Sequence, residues 1–275
     1  MSAIFRRLFL SAILPLALPG VAPAVADDAT EAALKAVVAG KHRSEANRAR
    51  DPYRHPVETL SFFGIRDDMT VVEIFPGGGW YTEILAPFLH EKGTYYAAGL
   101  DPESSSEFAR RTARAFQDKL AANPELYGKV QVTVLAPPDK TAIAPPGSAD
   151  LVLTFRNIHN WMAAGTADQV FAAMYKALKP GGILGVVEHR GNPKVPQDPK
   201  AESGYVNEDY AIKLAEKAGF RLVAGSEINA NPKDTKDYPK GVWTLPPTFA
   251  MKDQDREKYR AIGESDRFTL KFVKP

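Results

Sequence analysis

The sequence predicts a doubly wound α/β fold with seven strands in a mainly parallel sheet and helices on both faces. Two observations carry that expectation. Short runs rich in valine, isoleucine and leucine alternate with amphipathic stretches, the rhythm of a parallel sheet covered on both sides. The first run, Val71 to Ile74, leads through Phe75 and Pro76 into three glycines, Gly77 to Gly79, and then into the amphipathic segment Tyr81 to Leu89. Strand, glycine turn and helix in that order form the corner where an open α/β sheet meets a ligand. Glycine suits the turn because it tolerates positive φ and has no Cβ to hold a ligand away.

The elements follow from the same patterns. Asp28 to Ala39 is an alanine-rich helix, and Lys41 to Tyr53 is a charged stretch expected to cover the domain edge, with Lys41 to Arg50 as a solvated face. Val57 to Phe63 is a short helix stopped by Gly64. Strands are expected at Thr70 to Phe75, Thr94 to Leu100, Val130 to Leu135, Asp150 to Phe155, Ile183 to Glu188, Phe220 to Ile228 and Phe268 to Val273. Helices fall between them at Tyr81 to Leu89, Ser104 to Ala122, Ala167 to Leu178 and Asn207 to Ala218. Residues 229–250, proline-rich between Pro232 and Pro247, carry no helix pattern and read as a surface flap. The expected organisation is a helical cap over 27–66 followed by one α/β core over 67–275, without internal repeats.

Residues 1–26 have the plan of a secretory signal peptide: Arg6 and Arg7, an apolar run from Leu8 to Ala22, then Ala24-Val25-Ala26 ahead of Asp27. The run is short for a membrane span and holds Pro15 and Pro19. The expectation is a chain cut near Ala26, working in a periplasm or outside the cell with no stable membrane association. Loss of Arg6 and Arg7 takes 35 basic against 33 acidic residues to an even balance, so nothing in the charge points to nucleic acid. With no cysteine, stability has to come from the core.

From Glu73 onward the chain resembles the class I S-adenosylmethionine-dependent methyltransferases, whose fold is a Rossmann-like sheet. The family's first motif, an acid followed by spaced glycines, is matched by Glu73, Gly77, Gly78 and Gly79. The acid closing the next strand is matched by Asp101, about 20 residues beyond the glycines, the separation of a ribose-binding carboxylate. Arg156 to Trp161 follows the fourth strand where the family holds acceptor and cofactor contacts, and Ala177 to His189 looks like its helix, Pro-Gly-Gly turn and fifth strand. Phe75 stands where the family has glycine. An aromatic followed by Pro-Gly-Gly-Gly-Trp-Tyr-Thr is similar to a subgroup of predicted exported methyltransferases. The resemblance also implies that the last strand is antiparallel between the fifth and sixth.

Ligands of such a sheet bind beyond the carboxyl ends of its strands. The resemblance implies S-adenosylmethionine as cofactor, held by Glu73, Phe75, Gly77, Gly78, Gly79, Trp80, Asp101, Asn157 and Trp161. His159 and His189 are the candidate bases, since imidazole titrates near neutral pH, and Tyr81 is a candidate ring to face the sulfonium. Arg54, His55, Asn160, Glu188, Arg190 and Trp243 are candidate contacts for a small-molecule acceptor. His42 and His90 read as surface residues. The expected activity is methyl transfer to that acceptor. The alternative is an exported, non-catalytic protein of the same fold that binds another ligand, or a metal held by His55, His159, Glu188 and His189.

Overall fold

The computed structural model describes residues 27–275, so the expected leader lies outside the described residues. Four helices come first: α1 (Asp28–Val38), α2 (Glu45–Arg48), α3 (Asp51–Arg54) and α4 (Pro56–Phe63). Then follow β1 (Thr70–Ile74), α5 (Thr82–Leu89), β2 (Thr94–Gly99), α6 (Glu107–Ala121), α7 (Pro124–Tyr127) and β3 (Gln131–Val134). The second half runs β4 (Ala149–Phe155), α8 (Ile158–Ala164), α9 (Ala167–Ala177), β5 (Leu178–His189), α10 (Glu208–Lys217), β6 (Arg221–Ser226), α11 (Arg256–Ile262) and β7 (Arg267–Val273).

The seven strands form one sheet in the order β3-β2-β1-β4-β5-β7-β6, parallel except for β7, which runs antiparallel to both its neighbours. Because successive side chains of a strand point to opposite faces, β1 supplies two cores. Val72 and Ile74 pack under α8, α9 and α10 against Phe171, Met174 and Ala215, while Val71 packs under α1, α4 and α5 against Leu34, Leu60, Ile84 and Leu85. Close approach of α4 to the sheet depends on Gly185: a Cβ there would stand 2.8 Å from the Phe63 ring.

The structure differs from the sequence reading at the Pro-Gly-Gly corner, in RNIHNW and in the charged run that holds His42. The Pro-Gly-Gly corner is built into β5 rather than preceding it, because Leu178 pairs with Ala149 and Ile183 with Leu151 across a bulge, and Gly181 takes φ +78°. RNIHNW continues into helix α8 instead of a loop. The Lys41 to Arg50 run is not simply a solvated face: Arg43 is buried, bonds both oxygens of Asp51 at 2.6 and 2.8 Å and lies over the Trp80 ring. His42, read as a surface residue, is half-buried and within 2.8 Å of the Glu83 carbonyl oxygen. Among the described residues no helix is long and apolar enough to cross a membrane.

Residues 229–250 are irregular apart from one 3-10 turn at Gly241–Thr244, yet they are tied down. Asp234 is buried and accepts from the Tyr205 hydroxyl at 2.8 Å and the Asp266 N–H at 2.7 Å, and Leu245 is fully enclosed.

Candidate functional site

Beyond β1 the chain turns at Phe75, whose φ of +48° is costly for a residue with a bulky Cβ. Its N–H donates to the Ala98 carbonyl at 2.8 Å, and its ring meets Trp161 edge-on at 6.3 Å. Gly77 takes φ +58°, and nothing lies within 4 Å of where a Cβ would stand on Gly77 or Gly78, so this part of the turn opens onto free space. Gly79 is covered instead by the Lys119 side chain, whose Nζ bonds the Gly78 carbonyl.

The free space is a cavity of about 410 Å³ at the carboxyl ends of β1, β2 and β3, bounded by Phe75, Gly77, Leu100, Phe108, Val132 and Asn157. Phe108 is 63% exposed and Val132 43%, an uncommon pairing of bare apolar side chains around one hollow. Across Phe75 lies a second hollow of about 260 Å³, reached by Asp101, Asn160 and Trp161. Asp101 accepts from the Lys140 ammonium at 2.8 Å and the Glu103 N–H at 3.0 Å, which hold its carboxyl below the usual range.

Other expected cofactor contacts lie elsewhere. Glu73 points to the α5 face, where it accepts hydrogen bonds from the Tyr95 and Thr82 hydroxyls, and burial pushes its pKa up to about 7. Trp80 donates its indole N–H to the Asn47 carbonyl at 2.9 Å and carries the guanidinium groups of Arg43 and Arg54 on its ring. Tyr81 stacks on Phe155 with ring centroids 3.6 Å apart, and burial pushes its hydroxyl up to about 12. None of these three lines either hollow. Trp161 is wedged between Phe75 and Phe171 as core. Their polarity or size made them conspicuous in sequence, but alternation along β1 and the start of α5 turn them inward.

On the other side of α8 the histidines do converge. Glu188, fully buried, accepts from the Ile158 N–H at 2.6 Å, the His189 N–H at 2.8 Å and His159 Nδ1 at 3.1 Å. The tautomer of His159 that bonds Glu188 as a donor carries its hydrogen on Nδ1 and leaves Nε2 as the acceptor nitrogen. The two imidazoles lie 5.4 Å apart, and the Trp243 ring stands edge-on to His159 at 6.0 Å. His189 Nδ1 is 2.5 Å from the Ser265 hydroxyl. Burial, His159 and the guanidinium groups of Arg267, Arg156 and Arg54 push the His189 pKa well below the ordinary value, so it stays neutral.

His159, Glu188 and His189 offer metal-capable atoms within 4.8 Å of one another. The Glu188 oxygens are already taken by three N–H groups, and the surrounding arginines oppose a further cation, so the set is better suited to proton transfer than to a metal. His55 does not join that set. It is half-buried at φ +41° and lines a separate hollow of about 190 Å³ with Glu264 and Ser265. Arg190 is turned outward and held by Glu227 at 2.7 and 2.9 Å.

Sequence reasoning missed the groups entering β7. Glu264 is buried and binds Arg50 at 2.5 Å, Arg54 at 3.5 Å and Arg267, which also donates to the Tyr53 carbonyl at 2.9 Å. Burial alone would raise the Glu264 carboxyl, but Arg267, Arg54 and Arg50 together hold it far below the usual range. Arg156, at φ +61° directly after β4, is pushed down to about 10 by burial and by Arg267. The signal was available, since an antiparallel last strand must begin at the carboxyl edge of its parallel neighbours, which brings Glu264 to Arg267 into the site.

Sheet order, the antiparallel β7 and a cavity over the glycine turn define a Rossmann-like methyltransferase fold. Solved structures agree on that class. A SAM-dependent methyltransferase from Aquifex aeolicus superposes with a TM-score of 0.54 at 17% identity, over 82% of this chain and 93% of that one. The (4+2)-cyclase SpnF superposes with a TM-score of 0.53 at 14% identity, over 86% of each chain. No protein-family model and no curated protein matches the sequence, so the likeness is one of fold.

Proposed function

We propose that the protein transfers a methyl group from S-adenosylmethionine to a small-molecule acceptor. The observation that carries this reading is the 410 Å³ cavity, in the size range of ligand sites, whose floor is the open Gly77-Gly78 turn and whose walls leave Phe108 and Val132 bare. A flat base between those side chains would cover them, with Asp101 in the adjoining hollow across Phe75 to receive ribose hydroxyls. The cofactor would supply a methyl carbon activated by a positively charged sulfur.

The chain's own residues supply position and proton handling. Asn157 and Asn160 line the cofactor cavity, and His159 stands between them in sequence at the start of α8, with its ring beside His189. His159 Nε2, with Glu188 behind it, would take the acceptor's proton as the nucleophile's bond to the methyl carbon replaces the carbon–sulfur bond of the cofactor. Trp243 and the segment around it shield that side from water. The cyclase among the structural relatives is a reminder that this fold hosts other chemistry.

Calorimetric titration with S-adenosylmethionine and S-adenosylhomocysteine tests the reading. Micromolar binding that falls about 10- to 100-fold in Asp101→Ala is expected. No binding at millimolar ligand would remove it. The leader-like residues 1–26 add the proposal that the enzyme works outside the cytosol, and N-terminal sequencing of the mature chain, expected to start near Asp27, checks it.

A further inference from the structure

Where β7 enters the sheet, buried positive charge outnumbers its partners. Arg50, Arg54 and Arg267 share the single carboxylate of Glu264. Arg54 is 3% exposed, and its Nη1 has no hydrogen-bond partner. Arg267 is 2% exposed and likewise leaves Nε without one. Arg156, half-buried at φ +61° with its N–H on the Val187 carbonyl at 2.7 Å, just ahead of Glu188 and His189, adds a fourth guanidinium whose charge opposes that of Arg54. The neighbouring rings, Trp80 and the Tyr81–Phe155 stack, offer no carboxylate, and Glu188 is committed to His159 and two backbone N–H groups. Enclosed guanidinium groups without acceptors are costly, and such a cost persists where a ligand relieves it.

We infer that Arg54 and Arg156 form a binding site for a small oxyanion, a carboxylate or phosphate group, beside His159 and His189. Arg54 Nη1 and the Arg156 fork donate to the anion, Glu264 with Arg50 and Arg267 holds Arg54 in place, and neutral His189 adds no competing charge. That this anion is the handle of the methyl acceptor rests on the function proposed above; the site itself does not. A metal cation at the histidines is disfavoured by the same field.

The test uses the full chain without cofactor, so its failure leaves the cofactor reading standing and the reverse holds too. Thermal unfolding is followed while sodium chloride is replaced by sodium acetate or sodium phosphate at constant ionic strength. The expected result is a rise of about 3–8 °C at 10 to 100 times the dissociation constant for the anion that fits, acetate if the group is a carboxylate and phosphate if it is a phosphoryl group. Arg156→Gln is expected to melt at or above the parent in chloride, because it removes a repelling charge, and to lose the response. Arg156→Lys, which keeps charge but not the two-pronged geometry, is expected to retain a smaller one. No rise with either anion, or a rise that survives unchanged in the glutamine or lysine variant, overturns the site.

Discussion

Glu73 is a buried carboxyl group, 3% exposed, and its surroundings decide its charge. Tyr95, whose own pKa burial holds well above the ordinary value, stays a donor to it, as does Thr82. With a folded-state pKa of about 7 against the ordinary 4.5, Glu73 keeps a proton between those values that the unfolded chain has released. The contribution of Glu73 to stability is therefore greatest below about pH 4.5 and falls as pH rises to 7, by about 3 kcal/mol in all. Glu73→Gln, neutral at every pH, is expected to match the parent in urea unfolding near pH 4.5 and exceed it by about that amount at pH 8.5. A constant difference at both pH values would show that Glu73 is ionised throughout. Glu188→Gln probes a different property, the tautomer of His159. An amide whose oxygen keeps the Ile158 N–H puts its NH2 at the other position, against Nδ1 and the His189 N–H, so the imidazole must accept at Nδ1 and loses the lone pair on Nε2, while the His189 N–H loses its acceptor. kcat is expected to fall about 10²- to 10⁴-fold with cofactor affinity unchanged, and weaker cofactor binding would reveal a mainly structural role.

At the level of elements, Gly185 in β5 shows how closely helix and sheet are fitted. Gly185→Ala would set a Cβ 2.8 Å from both the Phe63 ring and Leu153, neither of which can swing into solvent. A loss of about 1–3 kcal/mol is expected in chemical denaturation, and Phe63→Leu in the same chain should recover part of it. Unchanged stability in Gly185→Ala would mean that α4 shifts freely. Such fits are invisible in sequence, whereas the elements themselves were legible. Periodicity and apolar runs locate the strands to within a residue or two, except β5 with its built-in corner. The one-turn helices α2, α3 and α7 and the seven-residue helices α8 and α11 were not legible, because one or two turns carry too little period to detect. In the site, the glycine turn, Asp101, His159 and His189 could be read from their position after strands. The inward aim of Glu73 and Tyr81 could not, and neither could the partners of Arg43, Arg54 and Glu264, because those contacts join segments more than 200 residues apart or depend on which face a helix presents.

The whole molecule is a sheet with two unlike edges, and that asymmetry predicts where it opens first. β1, β4 and β5 are covered on both faces by the two cores, whereas β3 and β6 lie at the ends of the sheet and are half-exposed along their length. Edge strands have partners on one side only and little apolar area to lose on opening, so their amides should exchange with solvent well before those of the central strands. The two edges then separate by function. Val132 and Val134 of β3 line the proposed cofactor cavity together with Phe108 of α6, whereas β6 lines neither hollow beside Phe75. Hydrogen exchange with saturating S-adenosylhomocysteine is therefore expected to slow β3, the end of β2 and the Gly77–Gly79 turn while leaving β6 at its unliganded rate. Equal protection of both edges would point to a general gain in stability rather than to this cavity, and protection confined to the start of β7 would move the ligand to the arginine side of α8.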